Sequence, residues 1–251
     1  MGDSPKSSTR MTETLPDASD SAEPYCSALV RDNDEDFFLS SRYAAAPDRL
    51  RQIALFALQT ELRRIPHIVS EPPLGEIRLQ WFRDALDEIA SGAPVRAHPT
   101  TQTIAAAGLV DAASRADLER LIDARARLLY EPRFSSVDDL KGFLAEAEAP
   151  LAMIAARGTT HDARSLRRLA EAHALARFAP MLAPELAADA CAMARRELQE
   201  AAQGAPPVSA GLAGRIAYLG LARGYAQRPD ARPWPLGKRL ALFQCVMSGR
   251  F

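Results

Sequence analysis

Residues 54–89 read ALFALQTELRRIPHIVSEPPLGEIRLQWFRDALDEI, with one apolar-periodic segment on either side of a break. The break is SEPPLG at 70–75, where each proline lacks a backbone donor and pushes the preceding residue out of the α region. We therefore expect one helix to end near Val69 and a second to begin after Gly75, with Glu76 placed to interact favourably with the helix dipole. Together the two segments predict a helical hairpin.

The inner faces of this hairpin are expected to carry an unusual number of polar side chains. The candidate pocket-lining or anion-binding residues are Glu61, Arg63, Arg64, His67, Glu76, Arg78, Gln80 and Arg83. Buried polar groups need partners, so these side chains either pair with one another or line a cavity that supplies the partners. The first interpretation is a buried ion-pair network that joins Glu71 or Glu76 to Arg64 or Arg78. Both interpretations stay open on the chemistry of the residues alone.

The composition is that of a soluble globular protein, with 251 residues of which 47% are hydrophobic and 25% are charged. The formal net charge of −1 argues against a nucleic-acid-binding role. The three cysteines, Cys26, Cys191 and Cys245, form no CxxC pair, which suits a reducing compartment. No apolar run approaches the roughly 20 residues needed to span a bilayer. We therefore expect a cytoplasmic protein, either free or at the inner face of the membrane.

Proline, glycine and changes in periodicity divide the chain into helical segments. Residues 1–24 are polar and predict a disordered leader. We expect residues 25–251 to form one domain. The acidic run 32–36 is better explained as the start of a helix than as a calcium loop, because Phe37 stands where such a loop needs glycine. No strand-like alternation occurs, so the sequence predicts an all-α bundle of about nine or ten helices. The expected helices are 35–45, 46–69, 75–90, 99–113, 115–130, 137–157, 163–178, 185–203, 209–227 and 236–248.

The hairpin also resembles a known protein family. The matching residues are 55–58 (LFAL), 61–62 (EL), 70–72 (SEP) and 74–84 (LGEIRLQWFRD). They are similar to the squalene/phytoene synthase family, and in particular to its divergent branch, which includes a mitochondrial complex I assembly factor and commonly reads SEPxLGEIRLQWWRD here. Weaker matches follow at 98–99, 118–125 and 240–251. The resemblance covers almost the whole chain outside the leader.

The resemblance implies a helical fold of the isoprenoid synthase type and the head-to-head condensation of prenyl diphosphates. In active members, acids spaced as DxxxD on two facing helices hold Mg²⁺, which binds the diphosphate and assists its departure. In this sequence the two motifs fall on 63–70 and 172–180, and neither stretch contains an acidic residue. A glycine-containing segment that lines the pocket of the family is replaced by 146–150. Both metal sites are therefore expected to be lost.

Three functions remain open. The first is a non-catalytic assembly factor or isoprenoid- or lipid-binding factor without a cofactor, in which Arg63 and Arg64 hold an anionic group directly. Its expected partners are an isoprenoid or lipid ligand and a protein of a membrane complex under assembly. The second is a residually active prenyl transferase that binds Mg²⁺ through Glu61, Glu71 and Glu76. The third is a helical interaction protein whose own side chains fill the pocket.

The C-terminal segment 233–251 raises a separate question. Residues 215–251 carry seven basic residues against one acidic residue, Asp230. Trp234 precedes a short basic segment, 236–247, with the pattern of an amphipathic helix, which suits a peripheral contact with a membrane. Docking of a final helix on the core explains the same apolar pattern equally well.

Overall fold

A computed structural model describes residues 21–203, 205–230 and 233–251, and every regular element in these ranges is helical. The α-helices are α1 (Ala22–Asn33), α2 (Glu35–Ser41), α3 (Ala46–Ile68), α4 (Pro72–Ser91), α5 (Pro99–Ala106), α6 (Ala112–Tyr130), α7 (Val137–Ala147), α8 (Ala149–Ala155), α9 (Ala163–Phe178), α10 (Pro184–Ala202), α11 (Ala210–Arg215), α12 (Ala222–Tyr225) and α13 (Pro235–Ser248). The all-α prediction is confirmed. The predicted leader lies outside the described residues as far as position 20, and Ala22 already begins α1.

The predicted hairpin is formed by α3 and α4. Helix α3 ends at Ile68, as expected, but α4 begins at Pro72 rather than after Gly75. Proline is tolerated in the first turn of a helix, where its missing N–H would have no helical partner. Gly75 lies inside α4, where the missing Cβ atom leaves room for the Leu129 side chain of α6.

Two predicted helices are broken. The expected helix 137–157 divides at Glu148 into α7 and α8, and Pro150 stands in the first turn of α8. The expected helix 209–227 divides into α11, a 3-10 segment at Ala217–Leu221 and α12. Gly214, the penultimate residue of α11, makes a tight contact, since a Cβ atom there would lie 2.7 Å from the Tyr43 carbonyl oxygen. Proline and close packing, rather than a loss of apolar pattern, produce both breaks.

Helix α3 lies at the centre of the bundle. All its residues from Gln52 to Thr60 are buried, and it packs against α1, α4, α5 and α6. A helix buried on all sides is typical of the core of a protein. Phe56 on α3 stacks on Phe37 of α2 with ring centroids 4.2 Å apart, and Tyr218 packs edge-on against both rings. Aromatic side chains of the protein itself therefore fill this part of the interior.

Helix α13 packs against the 3-10 segment through one face only. Leu242 and Cys245 are buried there, and Gly220 permits the close approach because a Cβ atom would clash with Cys245. The prediction that a final helix docks on the core is confirmed for this face. The opposite face is exposed and apolar. Among the described helices, none combines the length and the apolar character that a membrane crossing requires.

Candidate functional site

The interior charge cluster comprises two buried carboxylates, Asp34 and Glu148, and three arginines, Arg63, Arg125 and Arg177. Asp34 precedes α2, Glu148 joins α7 to α8, and the arginines lie on α3, α6 and α9. Five separate parts of the chain thus place their charges at one point. Arg125 is completely buried, whereas about a quarter of the Arg63 and Arg177 side chains is exposed (27% and 24%).

Asp34 accepts hydrogen bonds from two of these arginines. Its Oδ2 atom lies 2.8 Å from Nη1 of Arg63 and 3.0 Å from Nη1 of Arg177, while Oδ1 accepts from the Phe37 N–H and so caps α2. Asp34 to Asp36 of the acidic run therefore begin a helix, as the sequence predicted, whereas Asp32 and Asn33 end α1. Burial alone would raise the pKa of Asp34, but the charges of Arg177 and Arg63 and the hydrogen bond from Phe37 outweigh it and lower the pKa.

Glu148 forms the other half of the cluster. It accepts a two-pronged pair of hydrogen bonds from Arg63, with N–O distances of 3.2 and 2.6 Å, and a further bond of 2.6 Å from Arg125. Burial opposes ionisation of this carboxyl, but the two arginine charges prevail and lower its pKa to about 2. Arg125 also donates to the carbonyl oxygen of Ala147, the last residue of α7. The break between α7 and α8 is what brings the carboxylate to these arginines.

A second pair of charges connects the cluster to α13. Lys238 Nζ lies 2.8 Å from Oδ1 of buried Asp36 and 3.0 Å from Oε2 of Glu35. Tyr225 donates its hydroxyl hydrogen to the other oxygen of Asp36, and Nε of Arg177 lies 3.8 Å from that oxygen. The first turn of α13 is thereby fixed to α2 by ion pairs as well as by apolar contacts.

The outer hairpin recess is a surface cavity of about 260 Å³ between α3, α4 and the start of α5. It is lined by Glu61, Ile65, Ile68, Arg78, Trp81, Phe82 and His98. Trp81 packs edge-on against His98 at 5.2 Å between ring centroids, and the Arg96 guanidinium lies over the Trp81 ring at 5.1 Å. His98 also accepts from the Thr100 N–H at the start of α5. These contacts join the tryptophan of the recognised motif to the histidine that begins α5.

Only three of the eight predicted site residues lie at these two places. Arg63 enters the interior charge cluster, whereas Glu61 and Arg78 line the outer hairpin recess. Arg83 pairs with Asp123 of α6 at 2.6 Å, and Gln80 donates to Asp84. The remaining candidates are the half-buried Glu76 and the exposed Arg64 and His67.

The expectation that these polar groups face inward is wrong for four of them. Arg64, His67, Arg78 and Gln80 are exposed, because their positions on the two helices point to solvent. The expected ion pairs of Glu71 or Glu76 with Arg64 or Arg78 do not occur among the described residues; the interior network instead joins Asp34 and Glu148 to Arg63, Arg125 and Arg177. Whether any of the eight candidates binds an anion stays a prediction.

Sequence reasoning did not select Glu148, Arg125, Arg177 or His173 as site residues. His173 is buried on α9, where burial and the charge of Arg177 lower its pKa to about 3, so it is neutral. Its ring packs edge-on against Tyr218 at 5.1 Å. Arg125 and Arg177 lie on helices that carry several other charged residues, so no sequence signal distinguishes these two arginines or identifies their partners.

Mg²⁺, which the resemblance implies for active members, does not fit the residues present in the interior. The two segments where the acidic motifs are expected, 63–70 and 172–180, contribute Arg63 and Arg177, and both bond the same oxygen of Asp34. Mg²⁺ requires several oxygen ligands in near-octahedral geometry, and two guanidinium groups would repel it. Nowhere in the described ranges do three or more His, Cys, Asp or Glu residues form a group that could hold a metal ion.

The overall architecture is that of the all-α terpenoid synthase fold. A crystal structure of a dehydrosqualene synthase in complex with ligand matches with a TM-score of 0.69 at 12% sequence identity. The match covers 92% of this chain and 96% of that chain. At this identity the likeness shows the fold alone.

The sequence profile of squalene/phytoene synthase matches residues 30–181, which is more than half of the chain, and the chain therefore belongs to that family. Two relatives are NADH dehydrogenase (ubiquinone) complex I, assembly factor 6 of Bos taurus, at 27% identity, and its counterpart in Homo sapiens, at 24%. Both alignments extend over 127 residues, which is 51% of this chain but only 38% of the relatives. The resemblance to the divergent branch is confirmed.

Proposed function

We propose that this chain is a non-catalytic member of the squalene/phytoene synthase family that assists the assembly of a membrane-bound protein complex. The observation that carries the non-catalytic part is the position of Arg63 and Arg177. These arginines lie in the two segments where the acidic motifs are expected, and both bond the same carboxylate, that of Asp34. The similarity to complex I assembly factor 6 supports the assembly role. A location in the cytoplasm at the inner face of the membrane fits this role.

Electrostatics argues against metal-dependent chemistry in the interior. A divalent cation beside Asp34 would lie close to both guanidinium groups, and each would repel it by several kcal/mol at an effective dielectric constant of about 20. Moving either arginine away would remove charge-assisted hydrogen bonds worth about 1.5–3 kcal/mol each. The cluster is therefore more stable without the ion.

The same reasoning applies to a diphosphate group that binds without a metal. Arg63 already makes two hydrogen bonds to Glu148 and one to Asp34, and Arg125 bonds Glu148 and a backbone carbonyl. A diphosphate would have to displace buried carboxylates and would leave them without their partners, which is costly. We therefore assign Arg63 a structural role, and the proposed function does not involve isoprenoid binding in the interior.

The catalytic half of the proposal is tested with the purified protein, Mg²⁺ and labelled farnesyl or geranylgeranyl diphosphate. We expect no condensed hydrocarbon, and a dehydrosqualene synthase under the same conditions serves as the positive control. Formation of a condensed hydrocarbon above the level given by heat-denatured protein would contradict the proposal.

The assembly half is tested by deletion in the source organism. We expect the amount of assembled complex I on a native gel to fall, while its separate subunits are still synthesised, and wild-type protein to restore it. An unchanged amount of assembled complex in the deletion strain would contradict the assembly role and leave the test of catalysis unaffected.

A further inference from the structure

Helix α13 exposes a continuous apolar stripe to solvent. The α13 stripe consists of Leu236, Leu240, Phe243 and Met247, with exposed fractions of 49%, 53%, 52% and 70%. At about 100° per residue, these four positions lie within an arc of about 60° on the helix. Trp234, immediately before the helix, is 68% exposed. The stripe lies opposite Leu242 and Cys245, which dock on the core, so the fold itself does not require its apolar character.

The charged residues of the segment that carries the stripe have one sign. Residues 233–251 contain no acidic residue, and their basic residues are Lys238, Arg239 and Arg250. Lys238 is used in the ion pairs with Glu35 and Asp36, whereas Arg239 and Arg250 are exposed and have no ion pair within the described part of the chain. Arg239 borders the stripe, three positions after Leu236. The exposed apolar surface therefore has a positive rim at Arg239.

The helix that carries the stripe is rigidly held. Lys238 fixes its first turn, the Tyr43 hydroxyl donates to the Arg239 carbonyl oxygen at 3.3 Å, and Leu242 and Cys245 are buried. No folding on binding is needed to present the apolar side chains, so the entropic cost of docking is small. From Leu236 to Met247 the stripe is about 16 Å long at 1.5 Å per residue, which is a suitable length for a helix that lies in a membrane interface.

We propose that the α13 stripe docks on an anionic lipid bilayer, with α13 parallel to the membrane plane. Apolar side chains would enter the boundary between headgroups and acyl chains, Trp234 would lie at headgroup level, and Arg239 and Arg250 would contact lipid phosphates. Charge complementarity selects this occupant, because a second copy of the chain would bring an identical positive rim against the first. This inference is independent of the assembly role, although it is compatible with it.

The test is flotation of the full-length protein with vesicles of phosphatidylcholine, with and without phosphatidylglycerol. We expect flotation with the anionic vesicles and its decrease as salt is raised. The double variant Leu240→Ser with Phe243→Ser should bind at least about tenfold more weakly, because burial of these apolar side chains is lost. Arg239→Gln should weaken binding to the anionic vesicles about fivefold.

The matched control is Tyr130→Ser with Met181→Ser, which removes two side chains of similar exposure, 60% and 68%, outside the stripe. This control should float like the wild type, and thermal unfolding should show that both double variants fold normally. The proposal is overturned if the wild type stays with the unbound fraction, or if both double variants lose flotation equally. It is also overturned if the wild type does not bind vesicles and sediments as a dimer, while Leu240→Ser with Phe243→Ser sediments as a monomer. The occupant of the stripe is then a second copy of the chain.

Discussion

Arg63 and Arg64 are neighbours on α3, yet their surroundings are opposite. Arg63 bonds two carboxylates in the interior charge cluster, whereas Arg64 is exposed beside the outer hairpin recess and bonds no carboxylate in the described ranges. The comparison separates two kinds of polar residue in one recognised segment. The first kind holds five parts of the chain together, and the second faces solvent, where the fold places few demands on it.

The largest effect is expected from removing the charge of Glu148. Glu148→Gln leaves Arg63 and buried Arg125 without their shared carboxylate, which should lower the free energy of unfolding by about 3–5 kcal/mol. Urea denaturation measures this change. Glu146→Gln, on the exposed side of α7, is the matched control and should change stability by less than about 0.5 kcal/mol. Equal effects of the two variants would mean that the carboxylate of the interior charge cluster contributes no more to stability than an exposed carboxylate does.

The neighbouring arginines provide the next comparison. Arg63→Gln should cost about 2–3 kcal/mol, because Asp34 keeps Arg177 and Glu148 keeps Arg125 but both lose a charged partner. Arg64→Gln should stay within about 0.5 kcal/mol, as is usual for an exposed residue. Urea denaturation measures both changes. A larger loss of unfolding free energy for Arg64→Gln than for Arg63→Gln would reverse the assignment of the two residues.

Acid should weaken the protein through His173. Its pKa is about 3 in the folded protein, because burial and the Arg177 charge disfavour the proton, against an ordinary value of 6.5. Below pH 6.5 the unfolded chain therefore binds a proton that the folded protein does not. Stability is retained above pH 6.5 and falls by about 1.4 kcal/mol per pH unit towards pH 3, or about 2 kcal/mol between pH 6.5 and 5.

Stability measured across this pH range should show that slope, and His173→Phe, which keeps an aromatic ring beside Tyr218, should flatten it. Below pH 4.5 the lowered pKa of Glu148, about 2, adds a loss of the same sign. A slope that persists unchanged in the variant would assign the titration to another group.

Among the residues with a bidentate or buried ion pair, the smallest effect is expected for Arg83 on the outer surface of the hairpin. Arg83 pairs with Asp123, whose side chain is 56% exposed, so solvent screens the interaction. Arg83→Gln should therefore cost no more than about 1 kcal/mol. A loss comparable to that of Glu148→Gln would show that this exposed pair between α4 and α6 stabilises the protein as much as the interior charges do.

Much of the fold could be predicted because proline and glycine mark the ends of helices locally. The bounds of α9 agree with the expectation at both ends, and α3 ends within one residue of it. Helix α5 ends earlier than expected, before Gly108, whose φ of +56° is left-handed. The division at Glu148 was missed because the flanking alanines fit a continuous helix as well as a broken one.

The candidate site was harder to predict, and the reason is geometric. One position along a helix changes the direction of a side chain by about 100°, so distinguishing Arg63 from Arg64 requires the exact phase of α3. Helix α3 is buried on all sides from Gln52 to Thr60, so no one-sided apolar stripe defines that phase. The partners of Arg63 also lie 29 and 85 residues away in the chain, and no periodicity links such positions. The charged residues could be recognised from the sequence, but their ion-pair partners could not.

The central claim is that the interior carboxylates and arginines are paired with one another and leave no site for Mg²⁺ and a prenyl diphosphate. Calorimetric titration with a farnesyl thiodiphosphate analogue in the presence of Mg²⁺ tests it most directly, with a dehydrosqualene synthase as the positive control. The account predicts saturable binding by the control and none by this protein. Saturable, Mg²⁺-dependent binding to this protein that Arg63→Gln changes would contradict it.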